Sequence, residues 1–418
     1  MHAPAHTAHG ERAGGHGDAG EPWTRFFERE AELAVERERV EPLALLFEGL
    51  STGPGLHWPG FYGRPESRAR RVAALTPYAL AMDPVAALKD IAFELERRNE
   101  PAYRVKAFRG AAAAIAALSP AEVEALARSG SLKTLKGVGD VTAGVITEAV
   151  RGEMPGYLRR LLDEGGWPPE GGRELRAALK GDCHVHSDWS DGGSPIREMA
   201  ETAISLGHEY MVLTDHSPRL TVARGLSAER LREQLAVVAQ LNKELAPFRI
   251  LTGIEVDILD EGELDQEPGL LEQLDIVVAS VHSKLRMERE QMTRRMVMAI
   301  ANPNMDILGH CTGRYVTGKG RPESEFDAEL VFEACRHFNK AVEINSRPER
   351  LDPPRRLLRL AEEMECIFAI DSDAHAPGQL DWQPYGCERA EECGVTADRI
   401  VNTRDAEALL AWARMPPR

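Results

Sequence analysis

The sequence has no long hydrophobic run and no paired cysteine motif. In its 418 residues no stretch approaches the roughly 18 uncharged apolar residues of a membrane span, so we expect no membrane contact. The N-terminus, MHAPAHTAHGERAGGHG, lacks the apolar core of a signal peptide. Six cysteines without a CxxC pair or an export signal are typical of reduced thiols in a cytoplasmic protein. The net charge of −16 argues against nucleic acid covering the whole surface, but not against a local DNA-binding module.

The composition changes several times along the chain and predicts five segments. We expect a disordered leader over 1–22, a helical and loop segment of unknown role over 23–80, an all-helical domain over 83–164, a Gly/Pro-rich linker over 165–177 and a final domain over 178–418. In the helical domain, Asp83-Pro84 predicts a helix start, with a capping carboxylate followed by proline.

From residue 181 onward, seven short apolar runs alternate with helical stretches. The runs are CHVHS, YMVLTDHS, RILTGIEV, IVVASVHS, DILGHC, AVEINS and IFAIDSDAH, with helices predicted near 194–207, 227–246, 289–302, 325–339 and 353–365. Repeated alternation of strand and helix predicts parallel strands joined by crossover helices. A barrel is compatible with this length, and an open doubly wound sheet is the alternative.

Nearly every predicted strand ends in a potential metal ligand. Thirteen histidines are present, and six of them fall at these strand ends: His184, His186, His216, His282, His310 and His375. Carboxylates accompany them: Asp191, Asp215, Glu255, Asp371 and Asp373. The carboxyl ends of barrel strands share one face, so these side chains are expected in one pocket.

The number of candidate ligands exceeds what one metal ion needs. A zinc or manganese ion takes three or four protein ligands, so we expect two or three ions, with Glu255 bridging two of them. Asp215 alternates out of phase with His216, and Cys183 with its histidine neighbours, so both are expected to have structural roles. His208 precedes its strand and is not expected to be a ligand.

The motifs HVHSDWSDG, LTDHS, GIEVDIL, ASVHS, GHCTGR, EINSRPERLD and DSDAH resemble the polymerase and histidinol phosphatase (PHP) family of metal-dependent phosphoesterases. The likeness covers about residues 180–390 and is greatest to the PHP domain of bacterial family-X DNA polymerases. The resemblance implies an α/β fold, a distorted (βα)7 barrel, and three ions. It assigns three ligand sets: His184, His186, Glu255 and Asp373; Glu255, His282 and His310; Asp191, His216 and His375.

The helical part resembles the helix-hairpin-helix domain of the same polymerases, through EPAYRVKAFRGAA and LKGVGDVTAGVI. The resemblance implies sequence-independent DNA binding, in which backbone N–H groups of Gly137, Val138 and Gly139 face a DNA phosphate. The nucleotidyl-transferase region is missing, so we expect no polymerase activity. A lyase lysine is also absent, because Val145 stands at its position.

These features predict a hydrolase acting on DNA ends, as a 3′–5′ exonuclease or a 3′-end-processing enzyme of DNA repair. Lys284, Arg314 and Arg347 are candidate contacts to the substrate phosphate, although surface ion pairs explain them equally well. One alternative is a small-molecule phosphomonoesterase of the histidinol phosphatase type, and another is a non-catalytic DNA-binding scaffold. Imidazole and carboxylate ligands suit Zn²⁺, Mn²⁺ or Fe²⁺.

Overall fold

The computed structural model describes residues 82–164 and 167–417. The leader predicted over 1–22 and the helical and loop segment predicted over 23–80 lie outside the described residues. The predicted linker lies partly outside them.

The first described part, residues 82–164, forms a helical domain with its own hydrophobic core. Its helices are α1 (Pro84–Arg97), α2 (Ala102–Ala116), α3 (Pro120–Ser129), α4 (Asp140–Val150) and α5 (Gly156–Asp163), with a 3₁₀ turn at Leu132–Thr134. The helix start predicted at Asp83-Pro84 is confirmed, because the Asp83 carboxylate accepts from the N–H groups of Val85 and Ala86. Leu88, Ile91, Leu95, Phe108, Ile115 and Ile146 form the centre of the core.

The second part contains seven parallel strands. They are β1 (Gly181–Val185), β2 (Tyr210–Leu213), β3 (Arg249–Asp257), β4 (Ile276–Ser280), β5 (Ile307–Leu308), β6 (Ala341–Asn345) and β7 (Ile367–Asp371). Each strand pairs with the next in chain order. A parallel bridge from Val185 to Ala374 then joins the end of β1 to the residues after β7. The predicted barrel is therefore confirmed, since a doubly wound sheet would reverse its strand order partway.

Helices lie between and around the strands. They are α6 (Arg173–Ala178), α7 (Ile196–Ser205), α8 (Ala228–Glu244), α9 (Pro268–Leu271), α10 (Arg289–Ile300), α11 (Ala328–His337), α12 (Arg355–Glu363), α13 (Gln383–Glu392) and α14 (Ala406–Ala413). Further 3₁₀ turns lie at Thr221–Ala223, Pro377–Trp382, Ala397–Arg399 and Val401–Thr403.

The inner face of the barrel is apolar at the strand starts and polar at the strand ends. The apolar cluster contains Cys183, Tyr210, Val212, Leu251, Ile276, Val278, Ile307, Ala341, Ile367 and Ala369, together with Leu409 and Trp412 from α14. Residues two apart on a strand share a face, so Leu251 lies on the same side of β3 as Glu255. The register of β1 shifts between Asp182 and Val185. Cys183 can therefore pack in this core while its neighbour His184 lies among the polar groups.

The helical domain packs directly on the barrel. Helix α1 contacts the 3₁₀ turn Pro377–Trp382, and Arg109 of α2 donates to Glu198 of α7. Both barrel elements follow strand ends, so the helical domain lies beside the end of the barrel that carries the polar residues.

Within the described residues, no single helix is long and apolar enough to cross a membrane. Helices α2 and α3 reach that length and apolarity only as a pair, and the pair is bent by 117°. The apolar residues Val105, Phe108 and Ile115 of α2 belong to the core of the helical domain.

Candidate metal centre

The predicted ligands converge at the carboxyl ends of the strands. His184 and Glu255 lie on β1 and β3, and the others lie in the loops that follow strands: His186, Asp191, His216, His282, His310, Asp373 and His375. Eight of these side chains are largely shielded from solvent, whereas the side chain of Asp191 is 37% exposed.

Glu255 lies at the centre of five imidazoles. Its Oε2 is 3.3 Å from His184 Nε2, 3.5 Å from His186 Nε2 and 2.9 Å from His216 Nδ1. Its Oε1 is 3.2 Å from His282 Nε2 and 2.9 Å from His310 Nε2. The two oxygens thus face different histidines, which is the arrangement of a carboxylate that bridges two ions.

Groups of these atoms are close enough to share an ion. Ligand atoms lie within 4.8 Å of one another in three sets: His184, His186 and Glu255; His216, Glu255 and His282; His186, Asp191, His216 and His375. Asp373 Oδ1 adjoins the first set, 3.5 Å from His186 Nε2. His186 and His216 each lie in two of these sets, whereas the predicted ligand sets share only Glu255.

Several of these buried atoms lack a hydrogen-bond partner. They include His184 Nε2, both ring nitrogens of His186, His282 Nε2 and Glu255 Oε2. Such atoms cost free energy when they are unsatisfied. The donor set, imidazole nitrogen with carboxylate oxygen, is suited to a transition metal or zinc. The residues present therefore have the chemistry and the burial that metal ions require.

Two family models match different parts of the chain. Residues 182–347 match the PHP domain, and residues 82–153 match a helix-hairpin-helix domain. A probable phosphatase of Thermoanaerobacter pseudethanolicus is 31% identical over 233 residues, which cover 53% of this chain and 89% of that protein. This chain belongs to the PHP family. It is accordingly a metal-dependent phosphoesterase, a hydrolase of ester bonds.

Two further similar proteins differ in how much of their own length the match covers. The DNA polymerase/3′-5′ exonuclease PolX of Bacillus subtilis is 41% identical over 235 residues, covering 56% of this chain but 41% of that protein. The chain thus spans less than half of that relative's length. A structure of histidinol phosphate phosphatase from Lactococcus lactis covers 52% of this chain and 95% of that one, with 19% identity and a TM-score of 0.40. This likeness is too low to bear on substrate.

Two carboxylates that the sequence analysis did not name orient histidines of the PHP site. Glu343 Oε1 lies 2.6 Å from His184 Nδ1, and Asp257 Oδ1 lies 2.6 Å from His282 Nδ1. Each contact places the ring proton on Nδ1 and leaves Nε2 directed at Glu255. Asp257 is two residues after Glu255 on β3, so strand periodicity could have identified it. Glu343 lies on β6, which carries none of the predicted ligands.

The charges of the site shift several pKa values. Burial opposes protonation of His282, but the Glu255 and Asp257 carboxylates outweigh it and raise the His282 pKa to about 9. Burial lowers the pKa of His186 well below its usual range, and the neighbouring His375 and His216 add to this effect. Burial opposes ionisation of Glu255, yet the surrounding histidines hold its pKa well below the usual range. A metal ion would replace the protons that now balance these carboxylates.

Among the three predicted phosphate contacts, Arg347 lies against the proposed ligands. Its NH1 is 3.4 Å from His375 Nδ1 and 3.7 Å from Asp373 Oδ2. Arg314 instead donates to the carbonyls of residues 350 and 351, and the Lys284 side chain is 62% exposed and paired with Asp260. The geometry therefore separates Arg347 from the other two.

Arg350, which the sequence analysis missed, lies at the same place as Arg347. Its Nε is 3.2 Å from Asp373 Oδ2, and its guanidinium lies 4.9 Å from the centre of the Tyr315 ring. Arg350 is buried, its Nε faces the Asp373 carboxylate, and its NH1 lacks a hydrogen-bond partner. A buried cation with unused donors is suited to phosphate oxygens.

The helix-hairpin-helix turn uses some of its N–H groups internally. The Val138 N–H donates to the Leu135 carbonyl, and the Gly139 N–H donates to Thr142 Oγ1 at 2.9 Å. The Val138 side chain is buried in the helical core, and Gly137 has a positive φ of 95°. The N–H groups of Val138 and Gly139 are thus used within the turn, whereas the first turn of α4 has no side-chain cap and leaves its backbone N–H groups available.

Proposed function

We propose that this phosphoesterase hydrolyses phosphodiesters at DNA ends, as a 3′–5′ exonuclease or a 3′-end-processing enzyme of DNA repair. One observation carries the proposal: the carboxylate surrounded by five imidazoles lies in the same chain as a helix-hairpin-helix domain. A metal cluster can act on many phosphate esters, whereas a DNA-binding module is useful when the ester belongs to DNA. The name of the Bacillus relative, which includes 3′-5′ exonuclease, supports the same substrate.

We assign three divalent ions, Zn²⁺, Mn²⁺ or Fe²⁺, to nine residues. The ligand sets are His184, His186, Glu255 and Asp373; Glu255, His282 and His310; Asp191, His216 and His375. When bound, such ions lower the pKa of water and stabilise the attacking and leaving oxygens of a phosphate ester.

The protein's own groups prepare this site. Glu343 and Asp257 hold the Nδ1 protons of His184 and His282, which fixes both tautomers before an ion arrives. Arg347 and Arg350 are assigned to the non-bridging phosphate oxygens, because both lie beside Asp373 and carry buried guanidinium nitrogens without a hydrogen-bond partner. Lys284 and Arg314 are assigned lesser roles.

DNA binding is assigned to Gly137 and the first turn of α4, in a mode that does not depend on base sequence. Backbone N–H groups at a helix start recognise phosphate and not base edges. Arg97, Arg104 and Arg109 of α1 and α2 add little, since they are paired with carboxylates.

The deciding experiment uses one oligonucleotide labelled at its 3′ end and, separately, at its 5′ end. Protein reconstituted with Mn²⁺ or Zn²⁺ is expected to release the 3′ label at once and to shorten the 5′-labelled strand progressively. Glu255→Ala should abolish both results, while Glu333→Ala, on the surface of α11, should retain them. Intact DNA beside phosphate release from histidinol phosphate would reject the proposal.

Intact DNA together with phosphate release from histidinol phosphate would favour a small-molecule phosphomonoesterase. The observation behind this candidate is the Thermoanaerobacter probable phosphatase, 89% of which is covered by the match. A non-catalytic scaffold is the third candidate. His186→Ala distinguishes it, because a scaffold would keep its DNA affinity and show no hydrolysis in either form.

A further inference from the structure

The contact between the helical domain and the barrel leads directly to a proposed metal ligand. The 3₁₀ turn Pro377–Trp382 begins two residues after His375, and α1 packs against it. The turn is therefore bounded by the metal centre on one side and by the helical domain on the other.

The link on the helical side is a buried carboxylate. Glu96 Oε2 accepts from the Gly378 N–H at 2.9 Å, and the Glu96 side chain is 3% exposed. Arg109 holds this carboxylate with two bonds, from Nε to Oε1 at 2.6 Å and from NH2 to Oε2 at 2.9 Å. The same guanidinium donates to Glu198 Oε1 at 2.9 Å, which ties the pair to α7 of the barrel. Two-bond arginine–carboxylate pairs fix orientation as well as distance.

The link on the barrel side is Gln379. Its Oε1 accepts from the His375 N–H at 2.7 Å, and its own N–H donates to the Ala376 carbonyl at 3.0 Å. One residue, Gly378, is thus held by the helical domain, and the next, Gln379, holds the backbone of the ligand.

The packing leaves the turn little freedom to move alone. A Cβ at Gly378 would overlap the Phe93 carbonyl oxygen and lie 2.8 Å from Glu96 Cβ, so the two backbones are in close contact. Trp382, which is fully buried, donates from Nε1 to the Arg97 carbonyl at 2.8 Å.

We propose that Glu96 is a positioning residue for His375, acting through Gly378 and Gln379, so that the helical domain completes the metal centre as well as binding DNA. The proposal rests on the ligand assignment of His375 made under the proposed function, but it does not depend on DNA as the substrate.

The test measures metal affinity and the hydrolysis of bis(p-nitrophenyl) phosphate, a small diester that does not need the helical domain for binding. Glu96→Ala and Gln379→Ala are expected to lower the affinity for one of the bound ions about 10-fold, as substitutions of residues behind metal ligands commonly do. Turnover of the diester should fall with metal affinity and recover at higher metal concentration. Gln379→Glu keeps the acceptor oxygen and should restore affinity. Glu124→Ala, on the exposed face of α3, is the matched control and should equal the wild type.

Hydrogen exchange of the metal-free protein gives a readout independent of activity. Glu96→Ala should increase exchange at Gly378 and at His375, whereas a purely local contact would change Gly378 alone. If Glu96→Ala does not fold, Gln379→Ala decides, because Gln379 is not part of the domain contact that Glu96 makes.

His375→Ala distinguishes an error in the ligand assignment of His375 from an error in the positioning role of Glu96. If it binds as many ions as the wild type, the ligand assignment is wrong. If it loses an ion while Glu96→Ala and Gln379→Ala keep wild-type affinity and turnover, the positioning role of Glu96 is wrong and the proposed function stands.

Discussion

Glu343 Oε1 lies 2.6 Å from His184 Nδ1, and the other oxygen of the same carboxylate accepts from the backbone N–H of His310. One buried side chain on β6 therefore orients a histidine on β1 and positions another that follows β5. The carboxylate touches two of the proposed ligands without being one of them.

Glu343→Ala is expected to lower metal affinity by about 10- to 100-fold, because the His184 ring loses the acceptor that fixes its tautomer. Calorimetric titration with Zn²⁺ measures the effect, with Glu333→Ala as a control on the neighbouring helix α11. Unchanged affinity would show that the remaining site alone orients His184.

Asp215 is expected to be a structural centre of the loop that precedes Asp191. It accepts from the N–H and hydroxyl groups of Ser187 and Ser190 and from Gln234 Nε2. Asp215→Ala would leave these buried donors unpaired, so we expect a loss of roughly 3 kcal/mol or more in the free energy of unfolding. Urea denaturation of the metal-free protein measures it, and a loss below about 1 kcal/mol would contradict this role.

His208 is expected to make stability depend on pH. Burial, followed by the nearby Arg176 charge, lowers the pKa of His208 to about 3. The unfolded chain binds a proton near pH 6.5, so it holds more protons than the folded chain between pH 6.5 and 3, and stability falls as pH falls through this window. At pH 5 the loss is about 2 kcal/mol. Denaturant unfolding of the wild type and His208→Gln at pH 7.5 and pH 5 should show this difference, and parallel losses would contradict it.

Arg347 and Arg350 should differ from the exposed Lys284 in their effects on catalysis. Arg347→Ala and Arg350→Ala are expected to lower kcat/KM by about 10- to 100-fold, since a hydrogen bond to a charged group contributes about 1.5–3 kcal/mol. Lys284→Ala should change it less than about twofold, because its exposed ion pair contributes little. Steady-state kinetics with a small diester measures all three. Equal effects would assign phosphate binding to the general positive charge of the site.

The barrel and its ligand-bearing face could be predicted because each depends on a pattern that is local in sequence. Strand ends such as those at His282 and His310 are recognisable from an apolar run followed by a histidine, and parallel topology brings such ends together. The predicted helices of the barrel end within three residues of those observed. The boundaries of the five segments, the number of ions and the exonuclease polarity stay predictions.

Other features depend on contacts between residues that are distant in sequence. Arg350 and Arg314 lie in similar basic contexts, and only the fold shows that one faces Asp373 while the other holds a loop. In the sequence, Glu96 is one of several charges on a helix, and its partner Gly378 is 282 residues away. The N–H groups of Val138 and Gly139 were engaged by their own turn, which sequence periodicity does not reveal.

Helix α14 closes the end of the barrel opposite the ligands, where Leu409 and Trp412 pack against the starts of the strands. In the described part of the chain the barrel is thus closed at one end and open at the ligand-bearing end. Ions and substrate must enter and leave through the same opening, so a bound substrate blocks the release of the ions. Chelators should remove metal from the free enzyme faster than from the enzyme with substrate bound.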